Sequence, residues 1–273
     1  MTKATRSLTV MAAVCFVFSG ALMAQGPQQT AWNILQSAAT GTNSQQRVSA
    51  VTALALITSN PKAVTMAEQA LQDQNVDVRQ AAATTLGTLK VESAIPALQQ
   101  ALKDSSPAVV MAAAKSLVEM NNEEGYDTYY VVATGQMKSG GLVSSQEQKL
   151  NQLLHNPKDL AETAFEQGIG FVPFGGLGFG AFKMIHDSGE NAIVVKATAF
   201  KMLAKDPDPK SEKALITATT DQQWVIRAAA YDALSKRGDP SVLPSIENGL
   251  TDQQIEVKLT AAAAIAQLSS LPK

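Results

Sequence analysis

Leu71-Gln72-Asp73-Gln74-Asn75-Val76-Asp77-Val78-Arg79-Gln80-Ala81-Ala82-Ala83-Thr84-Thr85-Leu86-Gly87 decides the fold of this chain. Val78, Ala81, Ala82, Thr85 and Leu86, with Leu89 beyond, fall at the spacing of one apolar helical stripe. A short polar turn follows, and Ile95, Leu98 and Leu102 form the matching stripe of a second helix. The unit then recurs. Asp104 stands 31 residues after Asp73, and Asp252 stands 31 residues after Asp221. Six residues after each aspartate comes Arg79, Val110, Arg227 or Lys258, and seven residues further comes Leu86, Leu117, Leu234 or Ile265. Arg47 with Leu54, and Lys196 with Leu203, hold the same pair of places. Neither helix of such a unit can bury its stripe alone. A period of this length therefore predicts an all-α chain of stacked helix pairs, an α-α superhelix with one inserted segment.

The motif Leu71-Gln-Asp73…Val78-Arg79-Gln-Ala81-Ala82…Leu86-Gly87 resembles the HEAT repeat in its short bacterial, phycobilisome-lyase-like form. Trp224-Val-Ile-Arg227 through Leu234, then Gly238-Asp239-Pro240, carries the same resemblance. It covers residues 44–135 and 190–273. It implies a HEAT/ARM-like solenoid used as a scaffold for binding another protein. It also implies a ladder in which an aspartate and a basic residue tie the turns together, expected here as Asp73 with Arg79, Asp221 with Arg227 and Asp252 with Lys258. Val110 at the basic position predicts a break in that ladder.

Composition sets the remaining limits. Hydrophobic residues make up 45 % of the 273 and aromatics only 5 %. That is enough for a core and suits alanine-rich helices packed closely. The net charge of −2 leaves no basic footprint for nucleic acid. Lys3 and Arg6, the apolar run Leu8–Phe18 and the small residue Ala24 predict a cleaved secretory signal over 1–24 and a periplasmic or secreted protein. The single cysteine, Cys15, lies within that segment. The expected organisation is thus a signal at 1–24, and repeats one to three at 25–135 behind an N-terminal helix that covers the open end. An insertion at 136–189 and repeats four to six at 190–273 follow.

Val110 to Lys196 is 86 residues, where one period would give 31, so the insertion falls between repeats three and four. It contains Gly168–Phe182, an uncharged run with Phe171, Phe174, Leu177, Phe179 and Phe182. Tyr126, Tyr129 and Tyr130 on the preceding helix are three of the four tyrosines. These eight residues are the candidate contact set, either for a partner protein or, through the phenylalanines, for a membrane surface. Core packing of the tyrosines and a plug role for the loop are the structural alternatives. Gly176-x-Gly178-x-x-Ala181 fits a dinucleotide fingerprint only superficially, because such a site needs a strand before it. No catalytic residue, metal, cofactor or small-molecule substrate is inferred. His155 and His186 fall in the insertion without recurring ligand partners, and no nucleophile motif is present.

Overall fold

The computed structural model describes residues 26–58, 60–134 and 191–272, and every regular element among them is helical. The first half contains α1 (Pro27–Ala39), α2 (Ser44–Ala53), α3 (Pro61–Ala70), α4 (Val76–Leu89), α5 (Ile95–Ala101), α6 (Pro107–Glu119) and α7 (Glu123–Thr134). The second contains α8 (Asn191–Met202), α9 (Pro209–Ala218), α10 (Trp224–Arg237), the short α11 (Leu243–Ile246) and α12 (Ile255–Leu268). The candidate residues 168–182 lie outside the described residues. The capping pattern follows from the sequence. Asn60 and Asp208, each before a proline at the first helical position, accept from Lys62 N at 3.0 Å and Lys210 N at 2.8 Å.

The even-numbered helices form one layer. Within each half they pack directly on one another, α2 to α4 to α6 and α8 to α10 to α12. The helices that follow them, α3, α5, α7, α9 and α11, form the second layer. Small residues let the first layer close up. A Cβ on Gly87 of α4 would lie 2.2 Å from Ser116 Oγ of α6. Two buried hydroxyls sit in this seam: Ser116 Oγ donates to Ala83 O at 2.9 Å, and Thr85 Oγ1 donates to Val51 O at 3.1 Å. Each satisfies a polar group that would otherwise be costly inside an apolar contact. Leu86, Leu117 and Leu234, the recurring leucines of the period, are fully buried.

The N-terminal helix does not cover an open end, contrary to the expectation from its position. α1 packs on α2 and also on α12, the last helix of the described chain. Its place follows from the arginine that comes after it. Arg47 donates to Gly41 O at 2.9 Å and Thr42 O at 3.1 Å, as Arg79 donates to Asp73 O at 2.9 Å and Gln74 O at 3.2 Å. Gly41 therefore occupies the place of Asp73, and α1 is the second helix of a repeat whose first helix is α12. Gly41 does not adopt the left-handed conformation of a helix stop; the last turn of α1 closes on Thr40. Ala31, Trp32 and Leu35 fill this joint, and burial of the two larger side chains contributes about 1.5–3 kcal/mol each. Gln267 Nε2 donates across it to Thr58 Oγ1 at 3.0 Å. The 3-10 turn Leu54–Leu56 crosses α12 to reach α10.

The spatial order of the first layer is therefore α8, α10, α12, α2, α4, α6. The two ends of the chain's repeats meet in the middle of the stack. Residues Leu259 to Leu268 of α12 are buried without interruption, because neighbours lie on several sides of this helix.

Candidate protein-interaction surface

The ladder forms, with a different pairing from the one expected. The basic residue reaches forward to the aspartate of the next repeat and holds only the carbonyls of its own. Arg47 is bidentate on Asp73, at 2.7 and 2.8 Å. Arg79 is bidentate on Asp104, at 2.7 and 3.0 Å. Arg227 is bidentate on Asp252, at 2.7 and 2.9 Å, and Lys196 Nζ meets Asp221 at 2.9 Å. The physical reason is reach. The helix carrying Arg79 starts beside the turn that begins at Asp104, whereas the carboxylate of Asp73 already accepts from Asn75 N at 2.8 Å and from Arg47. Asp73, Arg79, Asp221, Arg227 and Asp252 are thus all members of the ladder, each with a partner one repeat away. Lys258 lies close enough to Asp252 to pull its carboxyl down. Among the described residues it makes no ion pair. The ladder position ahead of it is Gly41, which has no carboxylate. Val110 is buried where an arginine would stand, so no basic side chain continues the ladder beyond Asp104 at that step.

The electrostatics are those of neutralised pairs. The hydrogen bonds from Arg47 hold the Asp73 carboxyl below the usual carboxylate range and outweigh the opposing effect of burial. Burial pushes the Asp252 carboxyl up, but Arg227 and Gln254 N together bring it below its ordinary value. A second charged group, which the sequence did not single out, lies between α8 and α10. Asp232, with a side chain 3 % exposed, faces Lys201 at 3.6 Å and Lys236 at 2.9 Å. Burial pushes the Lys201 amine down to about 8, against the pull of Asp232. Lys201 and Asp232 hold the same repeat position as the exposed Thr84, and that equivalence is the one signal that could have found them.

Of the sequence-predicted contact residues, Tyr126 stands on α7 and is 49 % exposed, an outward position rather than a core one. The side chains of Tyr129 and Tyr130 lie outside the described residues, as do Phe171, Phe174, Leu177, Phe179 and Phe182. The structure adds a feature that the sequence reading missed. Two open clefts lie side by side where the second-layer helices end. The first, of about 430 Å³, runs between the ends of α1 and α3 and is lined by Gln36, Thr40, Met66, Gln69, Gln72 and Gln74 beside the Arg47–Asp73 pair. The second, of about 340 Å³, runs between the ends of α3 and α5. It is lined by Gln72, Ala97, Gln100, Lys103 and Ser105 beside the Arg79–Asp104 pair. Gln69 and Gln100 are one period apart, which was visible in the sequence but carries no meaning until the turns are stacked. Among the described residues no group of three or more histidine, cysteine or acidic residues is placed to hold a metal, and no helix is long and apolar enough to cross a membrane.

Comparison with known proteins agrees with this geometry. The family model for HEAT repeats matches residues 64–128 and 186–266, which are 65 and 81 of the 273 residues. No curated protein matches. Among solved structures, an engineered protein determined by the Northeast Structural Genomics Consortium is 17 % identical, with 88 % of this chain and 96 % of that one covered. Its TM-score is 0.29, too low for the likeness to carry any argument. The matched stretches fall on the helices whose period, buried leucines and forward-reaching arginines have just been described, and this chain belongs to the HEAT-repeat family.

Proposed function

We propose that this chain is an exported, non-enzymatic scaffold that binds another protein. The observation that carries the reading is the surface of a HEAT stack in which Arg47 and Arg79 are paired with Asp73 and Asp104 while glutamine-lined clefts stay open between repeats. A stacked array of this kind offers an extended face, and such faces suit macromolecules better than small substrates. Export is supported by Lys3, Arg6 and the apolar run Leu8–Phe18. The phenylalanines of residues 168–182 support a second reading, contact with a lipid surface.

Affinity capture from an envelope fraction, with the chain beginning at Gln25 as bait, tests the proposal. Liposome flotation of the same protein runs beside it. Saturable capture of a protein that free bait competes away supports the scaffold reading. Flotation with lipid and no competed protein overturns it in favour of the membrane.

A further inference from the structure

We propose that the row of carboxamides along the ends of α1, α3 and α5 is a docking track for an extended, uncharged polypeptide segment, held by its main chain. This rests on the scaffold reading and names the surface and the partner's chemistry. Gln36, Gln69, Gln72 and Gln100 are all exposed and line two adjoining clefts. Their side-chain amides make no hydrogen bond among the described residues. A carboxamide carries both donors and an acceptor, the complement of a peptide group. Gln69 and Gln100 hold equivalent places one period apart, and the two clefts share Gln72. An extended chain rises about 3.1 Å per residue, so one segment of about eight residues that runs through both clefts meets an amide group in each.

Charge selects against other occupants. Each cleft is walled by two helix C-termini, which carry partial negative charge and favour N–H donors over anions. The arginines at the clefts are held by Asp73 and Asp104 and face their own turns, so they offer no open anion site. A phosphate backbone or an acidic peptide meets negative helix ends and engaged guanidiniums, with the Lys103 amine as a further cation at the second cleft alone. A strongly basic peptide finds no free carboxylate, since Asp73 and Asp104 are bound to arginine. The track is confined to the first half. The places of Gln69 and Gln72 are taken in the second by Thr217 and Thr220, and by Asn248 and Thr251; the hydroxyls of Thr217, Thr220 and Thr251 bond to their own helices, and the carboxamide of Asn248 accepts from Tyr231 OH at 3.1 Å.

The test uses the full chain from Gln25 and a double variant, Gln69→Ala with Gln100→Ala. Both substitutions are at exposed helical sites, and urea unfolding of the variant is the control, with an unchanged midpoint expected. The probe is an array of eight-residue peptides of Ala, Ser, Thr, Pro and Gln, with acidic, basic and N-methylated counterparts. The expected result is binding of unmethylated neutral peptides, at least 10-fold weaker for their N-methylated forms and at least 10-fold weaker for the double variant. Equal binding of N-methylated peptides, preference for charged ones, or indifference to the double substitution overturns the track. Envelope capture by the two proteins separates this failure from failure of the scaffold reading. A partner held equally by both removes the track and leaves the scaffold. Loss of both peptide and partner binding in the wild type removes both. Binding of anionic phosphatidylglycerol vesicles that falls with the double substitution assigns the surface to lipid and overturns the peptide proposal.

Discussion

Leu35→Ala probes the shared repeat at its centre. Leu35 lies on α1 and is fully buried. Truncating a buried leucine removes its transfer energy and leaves a cavity, at a cost of about 2–5 kcal/mol. A middle value of about 3 kcal/mol corresponds to roughly 100-fold in an opening equilibrium. In a repeat array such a loss is felt by nearest neighbours first. Because α1 packs on both α12 and α2, the two helices should loosen together although they stand far apart in sequence. Native-state hydrogen exchange reads this directly. Amides of Leu259–Leu268 and of Val48–Ala53 should exchange roughly 100-fold faster in the variant, while those of Ala112–Leu117 on the more distant α6 stay near wild-type rates. If only α2 responds and α12 keeps its protection, α1 belongs to the first half alone and the shared repeat is wrong.

Leu86→Asp should unfold the chain or cost more than 4 kcal/mol, because it places an unpaired charge in a fully buried site. Arg79→Ala should cost less, about 1.5–3 kcal/mol for a charge-assisted pair, and a reversed order in denaturant titrations would refute the assignment of core and ladder. Gly87→Ala should destabilise by about 1–3 kcal/mol through overpacking against Ser116, and its companion Gly87→Ala with Ser116→Ala should recover part of the loss in the same titration. Asp73 and Asp252 have folded pKa values below their ordinary one. Their contribution is therefore complete above the unfolded carboxylate range near 4 and is lost as pH falls through the lower folded values; a urea midpoint that does not fall between pH 5 and pH 2.5 would contradict this. Lys201 should titrate near pH 8 by carbon-13 NMR of its side chain, and Asp232→Asn should move that midpoint lower still.

The helix pairs were legible because their stripes and caps repeat at a fixed spacing, and spacing survives without knowledge of neighbours. Which repeat touches which was not. Asp73 and Arg79 are six residues apart, and the sequence invites pairing them, yet the carboxylate that Arg79 reaches is Asp104. The phase of a motif locates a turn but does not say whether a side chain leans back or forward across the stacking contact. The same blindness hid the neighbour of α1. Trp32 and Leu35 would look alike against any partner helix. The clue was in α12, whose run from Leu259 to Leu268 has no polar stripe for solvent, where a helix facing outward at the end of an array keeps one. The clefts were invisible for a related reason, since glutamines on separate helices become a row only after stacking.

A joint between the first and last helices changes what it means for this array to gain a repeat. In an ordinary solenoid new units are added at the chain's ends. Here the first and last described helices, α1 and α12, are packed on each other, and an extra helix pair inserted directly beside either would have to force that contact apart. The free faces of the described stack belong to α6 with α7 on one side and to α8 on the other, and both are reached through residues 135–190. Lengthening by duplication would therefore enter the gene in its interior.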